Sequence, residues 1–120
     1  MILLYSFVKR NMTQHWAWMF GKVSSAVGEL VTGAGDARNR VWAASEYLFQ
    51  LSPDMVPDSC KDDVTWILQM LTRYPASGYY KSNMEATFHR TRNSTACKIA
   101  ARVWHLYHVF DSELHDRYSA

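Results

Sequence analysis

This sequence predicts an all-α fold, a compact bundle of four to five helices with no sheet, and three observations lead there. Apolar residues recur at steps of three and four along most of the chain. The interruptions are short and carry Gly, Pro, Asp or Ser. Nowhere do apolar and polar residues alternate between hairpin turns as they would in strands. With 120 residues, 48% hydrophobic and 20% charged, the chain suits a single helical domain over residues 1–120 built on one core.

The first helix follows Met12, Trp16, Met19, Val23, Val27 and Leu30, which share one face at helical spacing. Residues 1–10 either extend this helix or pack as an N-terminal arm. Gly21 and Gly28 each cost a helix about 1 kcal/mol relative to Ala, so each either marks a close helix crossing or is incidental. The run Gly33–Asp36 breaks the pattern, and Asp36 supplies a carboxylate to accept the first N–H groups of a second helix. That helix turns Ala37, Val41, Ala44, Leu48 and Leu51 inward, flanked by Trp42, Tyr47 and Phe49.

Pro53 and Pro57 make the next segment a loop, since each lacks a donor and biases its predecessor away from helix. A third helix starts at Pro57–Asp58, buries Val64, Ile67, Leu68 and Leu71, and stops near Tyr74 ahead of Pro75. Asp58, Asp62 and Asp63 read as charges favoured by its N-terminal dipole. The loop 76–81 turns at Ser77–Gly78 and displays Tyr79 and Tyr80. Ser82 and Glu85 form a capping box opening a fourth helix with Met84 and Phe88 inward. Asn93–Ser94–Thr95 is either the cap of a separate fifth helix or a bend within one longer helix. The last helix is the clearest element, with Ala96, Ala100, Val103, Tyr107, Phe110 and Leu114 in step and Ile99 and Leu106 widening the stripe.

A net charge of +2 from thirteen basic and eleven acidic residues is far from the excess of a dedicated nucleic-acid binder. Cys60 and Cys97 lack any paired motif and read as reduced, buried thiols. The apolar run Ile2–Val8 is followed, not preceded, by Lys9 and Arg10, the wrong order for a secretory signal. No stretch approaches the roughly 18–20 apolar residues of a membrane span. The expectation is a cytoplasmic protein with no membrane partner.

Few residues offer chemistry. His105 and His108 lie three apart, near Asp111 and His115, but the helical wheel turns them away from the core, so they and Arg102 face solvent or a partner rather than a metal. Lys81, His89, Arg90, Arg92, Lys98 and Arg102 form the densest basic stretch, and with Tyr79 and Tyr80 they suit a phosphate backbone with stacked bases. Trp16 joins the core stripe while Trp18 is displaced from it. Either Trp18, Trp42 and Trp104 together make an aromatic surface strip for a protein partner, or the first helix is central and buried on two sides. No nucleophile elbow, zinc signature or phosphate loop occurs, so no catalytic residue, metal or cofactor is assigned.

Arg102 and His108, with five residues between them, resemble the arginine–histidine spacing of the HEPN ribonucleases, although Val103 stands where that motif usually carries a polar residue. The resemblance implies metal-independent RNA cleavage at a dimer interface, with the histidine as acid or base and the arginine holding phosphate. Gly35–Arg38, Leu71–Pro75, Glu85–Thr87, Arg92–Ala96 and Lys98–Ala100 are similar to small uncharacterised bacterial helical proteins. That likeness spans residues 35–110 and implies a bacterial, phage or mobile-element origin, with no activity attached.

The leading functional expectation is a non-enzymatic interaction or regulatory module for a protein partner, with homo-oligomerisation left open. Its contact residues are Trp18, Tyr79, Tyr80, Arg90, Arg92, Lys98, Arg102, His105 and His108. The alternative is a nucleic-acid-binding protein using residues 81–102, and after it a HEPN-like ribonuclease.

Overall fold

The computed structural model describes the backbone of residues 2–118 and the side chains of residues 15–116. Local signals dictate where its helices begin and end. Asp36 sits in extended backbone and accepts the Asn39 N–H at 3.0 Å, capping α2 (Ala37–Leu48). That bond holds the Asp36 carboxyl below its ordinary value, assisted by the Asn93 side chain. Ahead of it, α1 (Ile2–Thr32) closes on the Gly33 N–H, which donates to Glu29 O at 2.8 Å, and Gly35 then turns the chain at φ +89°. A side chain is strained in that left-handed conformation, so glycine is required.

The 52–60 segment forms two single 3-10 turns, Pro53–Met55 and Asp58–Cys60, before α3 (Lys61–Leu71). α3 therefore begins later than Asp58 and ends three residues before Tyr74. The Ser82 hydroxyl accepts the Glu85 N–H at 3.1 Å to open α4 (Asn83–Arg90), while Glu85 Oε2 accepts the N–H of Lys81, one residue earlier than a capping box requires. Thr91 is extended and breaks the helix. The Arg92 carbonyl then accepts the Ala96 N–H at 3.0 Å, so α5 (Asn93–Tyr118) is separate from α4.

α1 is continuous from Ile2, so the N-terminal segment extends the helix rather than forming an arm. No strand occurs among the described residues, and no helix among them is long and apolar enough to cross a membrane. One core unites the bundle. Met19, Val23 and Ala26 of α1 meet Val41, Ala44 and Leu48 of α2, Val64 and Ile67 of α3, and Ile99, Val103, Leu106 and Phe110 of α5. Cys60, also in the core, has its thiol pushed up to about 11 by burial. Cys97 is exposed, contrary to expectation, because it lies about 120° from Val103 and about 160° from Ile99 around the helix. Gly21 and Gly28 mark no close crossing: both are exposed, and nothing lies within 4 Å of where a Cβ would stand.

Cross-helix contacts fix the directions. Phe20 stacks on Tyr107 at 5.3 Å while Leu30, ten residues later, lines one cavity with Ala100, and Ser59 just before α3 donates to Glu113 at 2.7 Å while Asp63 takes Arg102, so α1 and α3 both run antiparallel to α5. Asn93 accepts the Arg38 N–H at 3.0 Å and donates to Asp36 at 3.1 Å, clasping the starts of α2 and α5. The end of α1, the starts of α2 and α5, the end of α3 and all of α4 therefore share one pole of a body 54 Å long and 18 Å thick.

Candidate anion-binding site

That shared pole collects positive charge because of which helix ends meet there. Arg38 and Arg40 come from the start of α2, Arg73 from just past α3, Arg90 from the last turn of α4, and Arg92 and Lys98 from the start of α5. Most acids lie at the opposite pole: Asp54, Asp58 and Asp62 around the start of α3, and Asp111, Glu113 and Asp116 near the end of α5. A sequence-wide charge of +2 conceals this separation.

The site itself is a cleft of about 280 Å³ between the end of α3, the end of α4 and the start of α5. Arg73, Tyr74, Arg90, Thr91, Arg92 and Thr95 line it. Its order begins with Thr87, 3% exposed on α4, whose hydroxyl accepts the Tyr74 N–H at 2.9 Å. Asn83 does the same for Ala76 at 2.7 Å, so the chain leaving α3 is tied to α4. Tyr74, so fixed, carries two guanidiniums, with Arg90 Cζ 4.5 Å and Arg73 Cζ 5.4 Å from its ring centroid. Both being referred to one ring, the two cations lie within about a Debye length (~10 Å) of each other. Among the described residues neither they nor Arg92 makes an ion pair. No side chain among them caps the first N–H groups of α5, which open on the same region. Thr91 instead donates its hydroxyl to Thr87 O at 2.6 Å.

Beside the cleft, Tyr80 stacks on His89 at 5.1 Å and so folds the 76–81 loop back toward Arg90. Tyr79, its neighbour, is 96% exposed. Lys98 is exposed one turn beyond Thr95. Tyr79, Tyr80, Arg90, Arg92 and Lys98 therefore belong to one pole. Arg73, Tyr74 and Thr95 join them, although in the sequence Arg73 and Tyr74 mark only a helix end; the nearest signal there is the adjacency of a basic and an aromatic residue just before Pro75.

Arg102 and His105 do something else. Arg102 donates from Nε to Asp63, lies 4.9 Å over the Trp66 ring, and is not turned outward as the wheel suggested. His105 Nδ1 bonds the other oxygen of Asp63 at 2.6 Å while most of its ring stays exposed. Asp63 is 4% exposed, so it is the buried partner of two α5 side chains rather than a solvated dipole charge. The wheel failed for Arg102 because a long stem curls toward the neighbouring helix from the flank of the stripe. His108 packs edge-on against Trp104 at 4.3 Å, so Arg102 and His108 go to different partners within the chain.

The tryptophans occupy three settings. Trp18, 55% exposed, lies under the Lys22 ammonium; Trp42 packs on Phe88 at 4.5 Å; Trp104, 50% exposed, stacks parallel to Tyr107 at 5.6 Å. Trp42 is thus withdrawn from any surface strip. Among the described residues no group of three or more His, Cys, Asp or Glu side chains converges as a metal site. No protein-family model, no curated protein and no solved structure matches this chain, so its function is read from its own residues.

Proposed function

We propose that this chain is a nucleic-acid-binding module that takes a single strand on its arginine-bearing pole. The observation carrying the reading is the convergence of Arg73, Arg90 and Arg92 on one cleft with no carboxylate paired to any of them among the described residues. Unpaired guanidiniums held close together repel, and a phosphate backbone relieves that repulsion while releasing counterions. Tyr79 and Tyr80 next to Arg90 supply ring faces on which unpaired bases stack, which favours a single strand over a duplex. The test is a mobility shift with single-stranded RNA and DNA. Binding weakened by salt and lost in an Arg90→Ala/Arg92→Ala/Lys98→Ala variant of unchanged helicity is the expected result, and undiminished binding by that variant would sink the reading.

A second reading, a protein-interaction module, rests on Trp104. Its ring is half exposed yet already held by Tyr107 and His108, the form of a rigid anchor that loses little freedom on docking. The simplest occupant is a second copy of the chain. Light scattering then reads a dimer that Trp104→Ala returns to monomer; a wild-type monomer at high concentration removes this occupant.

A further inference from the structure

We propose that the arginine cleft seats a terminal phosphate, the phosphomonoester at the end of a strand, in preference to an internal backbone phosphate; this rests on the nucleic-acid reading above. Shape is the first reason. An internal phosphodiester enters and leaves any site with a sugar on each side, so it suits an open groove. Here the cleft is walled by the last turn of α4 and the first turn of α5 and backed by the end of α3, which suits a group tethered on one side only.

Charge is the second reason. An internal phosphate carries one negative charge, whereas a monoester carries about −1.5 to −2 at pH 7 because its second pKa is near 6. Three guanidiniums without a paired carboxylate match the larger charge, and each offers a planar fork to oxygens that a diester would have esterified. The first turn of α5 adds backbone donors with the favourable end of the helix dipole, and the Thr95 hydroxyl stands among them.

Preorganisation is the third. Tyr74 already holds Arg73 and Arg90 in place, and Thr87 already holds Tyr74, so little side-chain freedom is lost when the ligand arrives.

The experiment compares one oligonucleotide sequence bearing a 5′-phosphate, a 3′-phosphate or hydroxyls at both ends, by fluorescence anisotropy with the label on the opposite end. One phosphorylated form is expected to bind about tenfold or more tightly than the hydroxyl form, the worth of one or two charge-assisted hydrogen bonds. The advantage should shrink at pH 5, where the monoester holds one charge. It should also vanish in Arg73→Gln and, separately, in Arg92→Gln, each checked for helicity so that misfolding is not mistaken for lost recognition. Millimolar inorganic phosphate should reduce the phosphorylated strand to the affinity of the hydroxyl strand. Equal affinity for all three ends overturns this inference while leaving the nucleic-acid reading intact, and failure of every oligonucleotide to bind overturns both. Inorganic phosphate binding alone as tightly as the phosphorylated strand assigns the cleft to the free anion and overturns the strand-end inference.

Discussion

Among single residues, Asp63 has the most demanding environment. A carboxylate this buried is tolerated only with compensation, which Arg102 and His105 of α5 provide across the helix pair. The two partners are unequally placed: the Arg102 side chain is 35% exposed and the Asp63 side chain 5%. Losing the arginine therefore leaves the buried charge to His105, whereas losing the aspartate frees a cation that water can still reach. Arg102→Met, which keeps an unbranched stem over Trp66, is expected to lower unfolding stability by about 2–3 kcal/mol, below the figure for a fully buried pair because the arginine is partly solvated. Adding Asp63→Asn should recover about 1 kcal/mol by removing a buried charge that has lost one of its two partners. Urea titrations of the wild type, the single variant and the double variant measure both. No recovery in the double variant would mean that Asp63 is solvated after all.

At the scale of elements, the glycines separate conformational need from packing. Gly21 and Gly28 lie mid-helix with open space where a Cβ would stand, so Ala at either position should stabilise the fold by about 0.5–1 kcal/mol, through helix propensity alone. Gly35 holds φ +89° between α1 and α2, and Gly35→Ala should destabilise by about 1–2 kcal/mol. Opposite shifts of the thermal midpoint, read by circular dichroism, check the pair; a destabilised Gly28→Ala would restore the helix crossing that the sequence suggested. The helices were legible because their causes are local: Asp36 and Ser82 cap from within four residues, and the α5 stripe repeats at the helical period. The open surroundings of Gly21 were not legible, since only the placement of a second helix decides what a glycine faces. The cleft was half legible for the same reason. Arg90, Arg92 and Lys98 are near neighbours in sequence, but Arg73 and Tyr74 join them through the Tyr74–Thr87 bond, a tertiary contact that no spacing encodes. Asp63 was misread because its partners lie on another helix, 39 and 42 residues away.

For the whole molecule, net charge is a poor guide to what binds, because opposite charges cancel only within the reach of their fields. Asp58 precedes α3 and Arg73 follows it, and the eleven residues of that helix separate the two poles by about 16 Å at 1.5 Å per residue. That is about two Debye lengths at physiological ionic strength, where each is about 8 Å. A strand at the basic pole therefore meets the arginines nearly undiminished by the acids beyond. The affinity for single-stranded nucleic acid should fall with salt at a slope set by the phosphates contacted, about 0.7 per phosphate in the logarithmic plot. Replacing Arg90, Arg92 and Lys98 with Ala should reduce that slope by about 2. Neutralising the far pole with Asp54→Asn/Asp58→Asn/Asp62→Asn should leave the slope unchanged and alter affinity at physiological salt by less than about twofold. A titration in which the far-pole variant changes binding as much as the near-pole variant would show that the strand runs along the length of the bundle rather than ending on its arginine pole.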